Sequence, residues 1–215
     1  MTRIAILYED QRCLVLNKPA GLPVQGGERV KTSLDALLAR EYDPPPRLVH
    51  RLDKDSSGVI LVAKTPLDAA HYSKIIAGGR AVKEYLAVVA CDVDPHAPRA
   101  GVIKTTLSVK GRDKYAETGW RILRQTHAPE GAWTTLRLRL HTGRTHQIRR
   151  SLAQEGRPIL GDDKYGDFAL NRRLRKERGL KNLLLHSARL AIPQSDGPPI
   201  DVSAPPPPYF DEYLR

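Results

Sequence analysis

The feature of the sequence that most constrains the fold is the alternation of apolar and polar residues in Trp133–Leu140. In an extended strand, successive side chains point to opposite faces. Leu136 and Leu138 therefore fall on one face, while Arg137 and Arg139 fall on the other. This pattern predicts a half-buried strand, with an apolar face packed on a core and a basic face turned outward.

Other short apolar runs extend this sheet. Further strands are expected at residues 13–16, 59–63, 83–90, 102–109, 119–124 and 183–192, where β-branched and apolar residues cluster between turn signals. Helices are expected after a cap at Thr32 or Ser33, after a cap at Thr65, at residues 145–154 and in the basic segment that follows residue 166. Since no regular strand–helix–strand spacing occurs, the predicted class is α+β on a mixed sheet. The length suits a single domain over residues 1–215.

The chain is basic, and its charge is concentrated. It has 35 Lys and Arg residues against 24 Asp and Glu, a formal net charge of +11. Residues 137–181 hold thirteen Lys and Arg against five Asp and Glu, so a net charge of +8 lies in that one stretch. Excess charge can serve solubility alone, but such clustering favours a surface that binds phosphates. RNA, DNA and ribosomes are the partners that such a surface suits.

Several function classes lack their usual residues. Cys13 and Cys91 cannot build a disulfide framework or a zinc site, and a reducing cytoplasm suits this cysteine content. No segment is long enough to cross a membrane. The motifs of P-loop nucleotide hydrolases, dinucleotide oxidoreductases, zinc proteases and α/β-hydrolases do not occur. Carboxylates, histidines and basic groups remain as the groups available for catalysis.

The turn-rich segment His50–Gly58 offers a carboxylate among cations. Asp53 is close in sequence to Arg51 and Lys54, with His50 nearby. Cations keep a carboxylate ionised, as a nucleophile or a base requires. A loop aspartate is more often a turn former or a helix cap, so this segment alone leaves both interpretations open.

A second cluster lies in Arg144–Arg150, at the predicted start of a helix. It combines His146, Gln147 and three arginines with the N–H groups of a helix N-terminus. A solvated helix face is the simpler interpretation. Because Arg137 and Arg139 project from the preceding strand, however, basic groups are expected to converge here from two elements, which favours RNA binding.

Several segments together resemble the RluA-type pseudouridine synthases, which modify uridines in ribosomal large-subunit RNA and in transfer RNA. The segment His50–Gly58 resembles the signature of that family. Other resembling segments occur in the family's order: Asn17–Gly27, Lys83–Leu86, Gly143–Arg149, Gly161–Gly166 and Leu185–Ala188. Agreement of six ordered segments across nearly the whole chain is implausible by chance.

The resemblance implies residue roles and a fold. It makes Asp53 the catalytic aspartate, Tyr85 the active-site tyrosine and Arg144 the arginine that pairs with the aspartate. Leu185 is implied to pack against the tyrosine. The implied fold is a mixed, largely antiparallel sheet with a central RNA-binding cleft, and the implied chemistry uses no metal and no organic cofactor.

The reaction of that family breaks the N1–C1′ bond of uridine, turns the base and rejoins it through C5. An aspartate can attack the sugar or the uracil ring, or remove a proton from C2′, and the sequence leaves these routes open. Tyr85 is expected to stack on the base and to assist proton transfer from C5. The uridine has to be flipped out, and Arg51 is placed to fill the vacated space. The expected RNA-binding residues are Arg51, Arg137, Arg139, His146, Gln147, Arg149 and Arg150.

Several alternatives stay open at this level. Transfer RNA competes with 23S ribosomal RNA as the substrate, and the basic segment Asn171–Lys181, which resembles the RluC-like branch of the family, favours ribosomal RNA. His50 and His146 suit the acid and base of a metal-independent ribonuclease. A catalytically silent RNA-binding protein is the third alternative, with Asp53 as a turn residue. Because the catalytic pattern begins within the first ten residues, we expect a catalytic domain without a preceding S4-like domain. A monomer is also expected.

Overall fold

A computed structural model of the protein describes residues 4–27, 32–109, 111–195 and 197–214. The strands are β1 (Ala5–Glu9), β2 (Cys13–Lys18), β3 (Arg47–Leu48), β4 (Ser57–Ala63), β5 (Val82–Val89), β6 (Ala100–Val109), β7 (Arg112–Ala128), β8 (Gly131–Leu140), β9 (Leu185–Ile192) and β10 (Ile200–Ser203). The helices are α1 (Leu34–Glu41), α2 (Pro66–Ala77), α3 (Gln147–Gln154), α4 (Phe168–Arg178) and α5 (Asp211–Leu214), with a 3-10 turn at Pro208–Phe210. The predicted α+β class is confirmed.

The chain groups into two compact units. The first unit contains Met1–Lys83 and Ser187–Pro205, and the second contains Glu84–His186 and Pro206–Arg215. The single-domain organisation expected from the length stays a prediction. In the described part of the chain, no helix has the length and apolar character needed to span a bilayer.

The sheet of the first unit has the strand order β1-β2-β4-β9. Strand β3 also pairs with β4, and β10 pairs with β9. All seven residues of β4 are buried, which explains why Val59–Ala63 is a continuous apolar run rather than an alternation. Cys13 pairs with Ala63 and Leu16 with Ile60 in an antiparallel ladder. This ladder places the segment before β4 beside the loop that follows β2.

The two helices of the first unit begin differently. The predicted cap of α2 is confirmed, because the Thr65 hydroxyl oxygen accepts a hydrogen bond from the backbone N–H of Asp68 at 3.1 Å. Ser33 occupies the cap position of α1, which rules out Thr32, yet it makes no side-chain cap bond. Its hydroxyl instead donates to the carboxylate of Asp35. An ionised carboxylate attracts a hydroxyl proton more strongly than a neutral acceptor does.

The sheet of the second unit has the strand order β5-β8-β7-β6, and the β5–β8, β8–β7 and β7–β6 pairs are antiparallel. Strand β8 confirms the predicted alternation, since Leu136 and Leu138 are buried while Arg137 and Arg139 are exposed. The two short strands expected between residues 102 and 124 are the arms of one long hairpin. Residues 112–115 at its tip are exposed on both faces, so they carry no alternation that could reveal a strand.

Candidate active site and RNA-binding surface

Asp53 occupies a turn immediately before β4 in the first unit. Its backbone carbonyl accepts a hydrogen bond from the N–H of Ser56 at 3.2 Å. Leu52 is buried before it and Ser56 is buried after it, while Asp53 itself is half-buried. The turn is therefore anchored on both sides of a carboxylate that water can still reach.

Lys18 fastens this turn to the loop that follows β2. Its side chain is completely buried, and its Nζ donates to the carbonyl oxygens of Pro19 and Leu22 at 2.9 Å each and of Lys54 at 3.0 Å. The N–H of Gly21 donates to the same Lys54 carbonyl at 2.9 Å. The residue directly after Asp53 is thus held by two donors from a segment that lies far away in sequence.

The ammonium of Lys18 also acts on the charges of this turn. Burial lowers the pKa of Lys18 to about 8, while the negative charges of Asp55 and Asp53 favour its protonated form. A buried ammonium requires such hydrogen bonds and counter-charges to stay protonated. This role was not predicted from the sequence, although a signal was present: Lys18 is in phase with Leu14 and Leu16, on the buried face of β2.

His50 fastens the other side of the turn. Its Nε2 accepts a hydrogen bond from the backbone N–H of Leu61 at 3.0 Å, which requires a neutral ring. Burial, together with the positive charge of Lys83, lowers the pKa of His50 to about 4. This geometry argues against His50 as the acid or base of a ribonuclease, because its Nε2 already accepts the backbone N–H of Leu61 in β4.

Gly58 explains why the signature segment ends in glycine. Its φ is +110°, and a Cβ on this residue would lie 2.2 Å from the carbonyl oxygen of Ser187 on β9. The Ser187 hydroxyl donates to the carbonyl of Val59 at 3.1 Å. Only glycine allows β4 and β9 to approach this closely at the point where the Asp53 turn enters the sheet.

Arg144 lies in the second unit, on a loop pinned to β7 by the buried side chain of Gln147. The Gln147 Oε1 accepts hydrogen bonds from the Thr142 hydroxyl at 2.7 Å and from the Arg144 N–H at 3.0 Å. Its Nε2 donates to the Glu117 carbonyl and the Thr118 hydroxyl, both at 3.0 Å. All the hydrogen-bonding capacity of the amide is used within the protein, so Gln147 positions the loop, and its contact with RNA stays a prediction.

The guanidinium of Arg144 is half-buried. Its Nε donates to the Tyr115 carbonyl at 3.0 Å, which orients the planar group. No described residue of the second unit accepts a hydrogen bond from its two terminal nitrogens. A guanidinium oriented in this way suits a carboxylate or a phosphate bound through two parallel hydrogen bonds.

His146 precedes α3 in a left-handed conformation, with φ 51° and ψ 33°. Among the residues described, it is the one non-glycine residue with a positive φ. Its Nδ1 lies 3.2 Å from the Tyr165 hydroxyl, and the two rings meet edge to face. Such a conformation costs about 1–2 kcal/mol for a residue with a Cβ, and it persists where the surroundings hold it in place.

Arg149, which is predicted from the sequence to contact RNA, forms a buried ion pair in the structure. Its side chain is buried, and its Nε and Nη2 each donate to an oxygen of the buried Asp162 at 2.7 Å. Burial alone would raise the pKa of Asp162, but the hydrogen bonds from Arg149 and from the N–H groups of Tyr165 and Lys164 outweigh burial and hold that pKa below its ordinary value. The pair fastens α3 to the segment that contains Tyr165.

Arg137 and Arg139 do not converge with the Arg144–Arg150 cluster. In the β5–β8 and β7–β8 ladders, Leu138 lies opposite both Tyr85 and Trp120. The guanidinium of Arg157, just after α3, stacks 5.0 Å from the centre of the Trp120 ring, so α3 and Tyr85 share the Leu138 face. The expectation of convergence was wrong because strand alternation turns Arg137 and Arg139 to the opposite face.

The remaining predicted site residues are placed as follows. Tyr85 is 8% exposed on β5, and Leu185 is buried at the start of β9. Arg51 is exposed beside the Asp53 turn, and Arg150 is half-buried, with its Nη1 donating to the Ser108 carbonyl at 3.0 Å. The pairing of Asp53 with Arg144 and the contact of Leu185 with Tyr85 stay predictions.

Comparison with known proteins gives these residues a family. The profile of the family described as RNA pseudouridylate synthase matches residues 12–154, which include Lys18, Asp53, Tyr85 and Arg144. The chain belongs to the RNA pseudouridylate synthase family. It is similar to curated members of that family over most of its length, so the family expected from the sequence segments is confirmed.

Three curated relatives illustrate the similarity. Ribosomal large subunit pseudouridine synthase D of Xanthomonas campestris pv. campestris is 36% identical over 94% of this chain and 66% of its own length. Ribosomal large subunit pseudouridine synthase C of Buchnera aphidicola is 33% identical over 98% of this chain and 69% of its own. The protein of the same name in Escherichia coli is 39% identical over 86% and 60%. The chain therefore spans about 60–69% of the length of these relatives.

Two solved structures of pseudouridylate synthases share the fold. Human RNA pseudouridylate synthase domain containing 1 has a TM-score of 0.76 at 25% identity, covering 95% of this chain and 84% of that one. Human RNA pseudouridylate synthase domain containing 4 has a TM-score of 0.75 at 26% identity, covering 97% and 91%. The predicted pseudouridine synthase fold is confirmed.

Proposed function

We propose that the protein is a pseudouridine synthase that isomerises uridines in 23S ribosomal RNA, with Asp53 as its catalytic carboxylate. The observation that carries the proposal is the Asp53 turn, which Lys18 and His50 fasten on either side within the region matched by the family. A carboxylate on a turn held in this way is preorganised, as efficient catalysis requires. The names of the relatives support large-subunit RNA as the substrate.

The proposed reaction needs no oxidant and no nucleotide. The N1–C1′ bond of uridine breaks, a C5–C1′ bond forms, the proton on C5 leaves to solvent and N1 is protonated. Asp53 serves each of the three routes, as a nucleophile towards the sugar or the ring or as a base at C2′. In this proposal the guanidinium of Arg144 holds the carboxylate, and the ring of Tyr85 stacks on the flipped base.

Fewer residues are proposed to contact RNA near the reacting uridine than the sequence predicted. Arg51 is exposed next to Asp53 and suits the space that a flipped uridine leaves. His146 and Arg150 flank the start of α3, on the same side of the sheet as Tyr85. Gln147 and Arg149 hold the start of α3 in place through their hydrogen bonds with Glu117 and Asp162.

Release of tritium from RNA labelled at uridine C5 tests the proposal directly. Wild-type protein should release tritium to water while the RNA keeps its length, and Asp53→Asn should lower the rate by about 10³-fold or more, in the upper range for loss of a catalytic carboxylate. Asp55→Asn is the matched control, because it removes a carboxylate from the same turn and should retain activity. Equal tritium release by wild type and Asp53→Asn would refute the role of Asp53.

The same assay separates the alternatives. Shortened RNA without tritium release identifies a ribonuclease, and binding without either change identifies a silent RNA-binding protein. Mapping of carbodiimide adducts on 23S and transfer RNA names the substrate. We also propose a cytoplasmic location, where ribosomal RNA is made, and a monomeric state, which light scattering of the purified protein checks.

A further inference from the structure

Three arginines lie together on the outer face of the second unit's sheet. Arg121 on β7 stands directly opposite Arg137 on β8, and Arg139 follows two residues later on the same face. All three side chains are exposed. Directly opposed residues on neighbouring strands have Cβ atoms about 4.5–5.5 Å apart, and residues i and i+2 on one strand are separated by about 6.8 Å. We call these three residues the arginine face.

The carboxylates beside the arginine face offset only part of its charge. None of the three arginines forms an ion pair with any residue that the structure describes. Glu84 on β5 stands opposite Arg139, whereas Arg121 and Arg137 have no carboxylate directly opposite them in the described ladders. Glu117, farther along β7, accepts a hydrogen bond from the Tyr115 hydroxyl. Like charges directly opposite each other destabilise a β-ladder, so this sheet tolerates a repulsion that an external anion would relieve.

We propose that the arginine face is a second RNA-backbone contact, on the opposite side of β8 from Tyr85. The inference rests on the proposed function for the identity of the RNA, but its charge argument holds for any RNA strand. Arginine binds phosphate through two parallel hydrogen bonds, and an open sheet face lets a backbone lie across neighbouring strands. RNA that reaches this face has to extend beyond the target uridine, so the contact should matter for long RNA and not for a short oligonucleotide.

Salt dependence of RNA binding tests this contact. The variant Arg121→Gln/Arg137→Gln/Arg139→Gln and the wild type are titrated with a 23S ribosomal RNA transcript and with a short oligouridylate. Each phosphate released from a basic side chain changes the slope of log K against log salt by about 0.7–0.9. The variant should therefore flatten the slope for the transcript by roughly 2 to 2.7 and leave the oligouridylate slope unchanged.

A matched control removes the same charge elsewhere. Arg40→Gln/Lys74→Gln/Arg80→Gln neutralises three exposed cations at the ends of α1 and α2 in the first unit, and it should leave the transcript slope as in the wild type. If both triple variants flatten the slope equally, net charge is responsible and the proposal is wrong. An unchanged slope in the arginine-face variant also overturns the proposal, because it would show that these three arginines bind a protein or nothing instead of RNA.

Two further measurements separate a loss of RNA contacts from a loss of folding. Thermal unfolding should show no loss of stability in the arginine-face variant, because neutralisation removes a repulsion. If the triple variant does unfold early, Arg121→Gln alone should still flatten the slope by about 0.7–0.9. Binding is measured without turnover, so absence of tritium release would count against the proposed function and not against the arginine face.

Discussion

The buried pair of Arg149 and Asp162 allows a strong test of the assignment of Arg149. The two side chains are 5% and 0% exposed, and both hydrogen bonds between them measure 2.7 Å. Removing one partner from such a pair leaves an uncompensated buried charge, which costs about 3–5 kcal/mol. Arg149→Met should therefore lower the free energy of unfolding by about 3–5 kcal/mol, as measured by urea denaturation.

The partner residue, Asp162, offers a second variant of the same pair. Asp162 also accepts hydrogen bonds from the N–H groups of Lys164 and Tyr165, both at 2.9 Å. Asp162→Ala should also be strongly destabilising, since two backbone donors lose their acceptor and the buried guanidinium loses two hydrogen bonds, although Asp163 still accepts one from Nη2 at 3.1 Å. The double variant should cost less than the sum of the two single changes, because the interaction is lost only once.

RNA binding supplies the result that would refute this reasoning. If Arg149 is structural, Arg149→Met should leave the salt slope of RNA binding unchanged at temperatures where the variant is folded. If the variant instead keeps its stability and flattens the slope by about 0.7–0.9, the side chain reaches a phosphate and the buried pair is not its role in solution.

Three further predictions concern the Asp53 turn. Burial lowers the pKa of Lys18 to about 8, against about 10.4 in an unfolded chain, so the folded protein loses this proton first as the pH rises. The free energy of unfolding of the wild type, measured by urea denaturation, should therefore rise by about 3 kcal/mol relative to Lys18→Met between pH 8 and about 10.4. His50 takes up a proton near pH 4 in the folded protein and near about pH 6.5 in the unfolded chain. As the pH falls through that interval, the free energy of unfolding of the wild type should therefore fall by about 3 kcal/mol relative to that of His50→Gln. Parallel plots of this free energy against pH for the two proteins would contradict the prediction. Gly58→Ala should lower the free energy of unfolding by at least about 2 kcal/mol, as its Cβ meets the Ser187 carbonyl, whereas Gly156→Ala, with φ +69° in open space, should cost only about 1 kcal/mol.

The elements that the sequence predicted are those whose local pattern matches their packing. Strand β8 alternates because one face is buried, β4 ends in a continuous apolar run because both faces are, and Thr65 carries its own capping oxygen into α2. Strand β1, in contrast, is largely exposed at the edge of the first unit's sheet and carries no such pattern. Strand β10 does alternate, with Ile200 and Val202 buried and Asp201 and Ser203 exposed, but it has only four residues and was not predicted.

The candidate site was predictable to a smaller extent. The segments that carry Asp53, Tyr85 and Arg144 were recognisable because each keeps its residue order locally. The supporting contacts were not, because they join distant parts of the chain: Lys18 reaches the carbonyl of Lys54, and Arg149 reaches Asp162. A basic residue looks the same in sequence whether its partner is a buried carbonyl, a carboxylate or a phosphate, so only tertiary structure separates supporting residues from surface ones.

The burial of Lys18 has a practical consequence for following local motion. An amine that is 0% exposed cannot react with an acylating reagent while its three carbonyl partners hold it. Its labelling rate, read by mass spectrometry beside those of the exposed lysines, therefore counts the openings of the Asp53 turn and gives their free energy. Lys18 thus serves as an internal probe of how often the turn leaves its folded position.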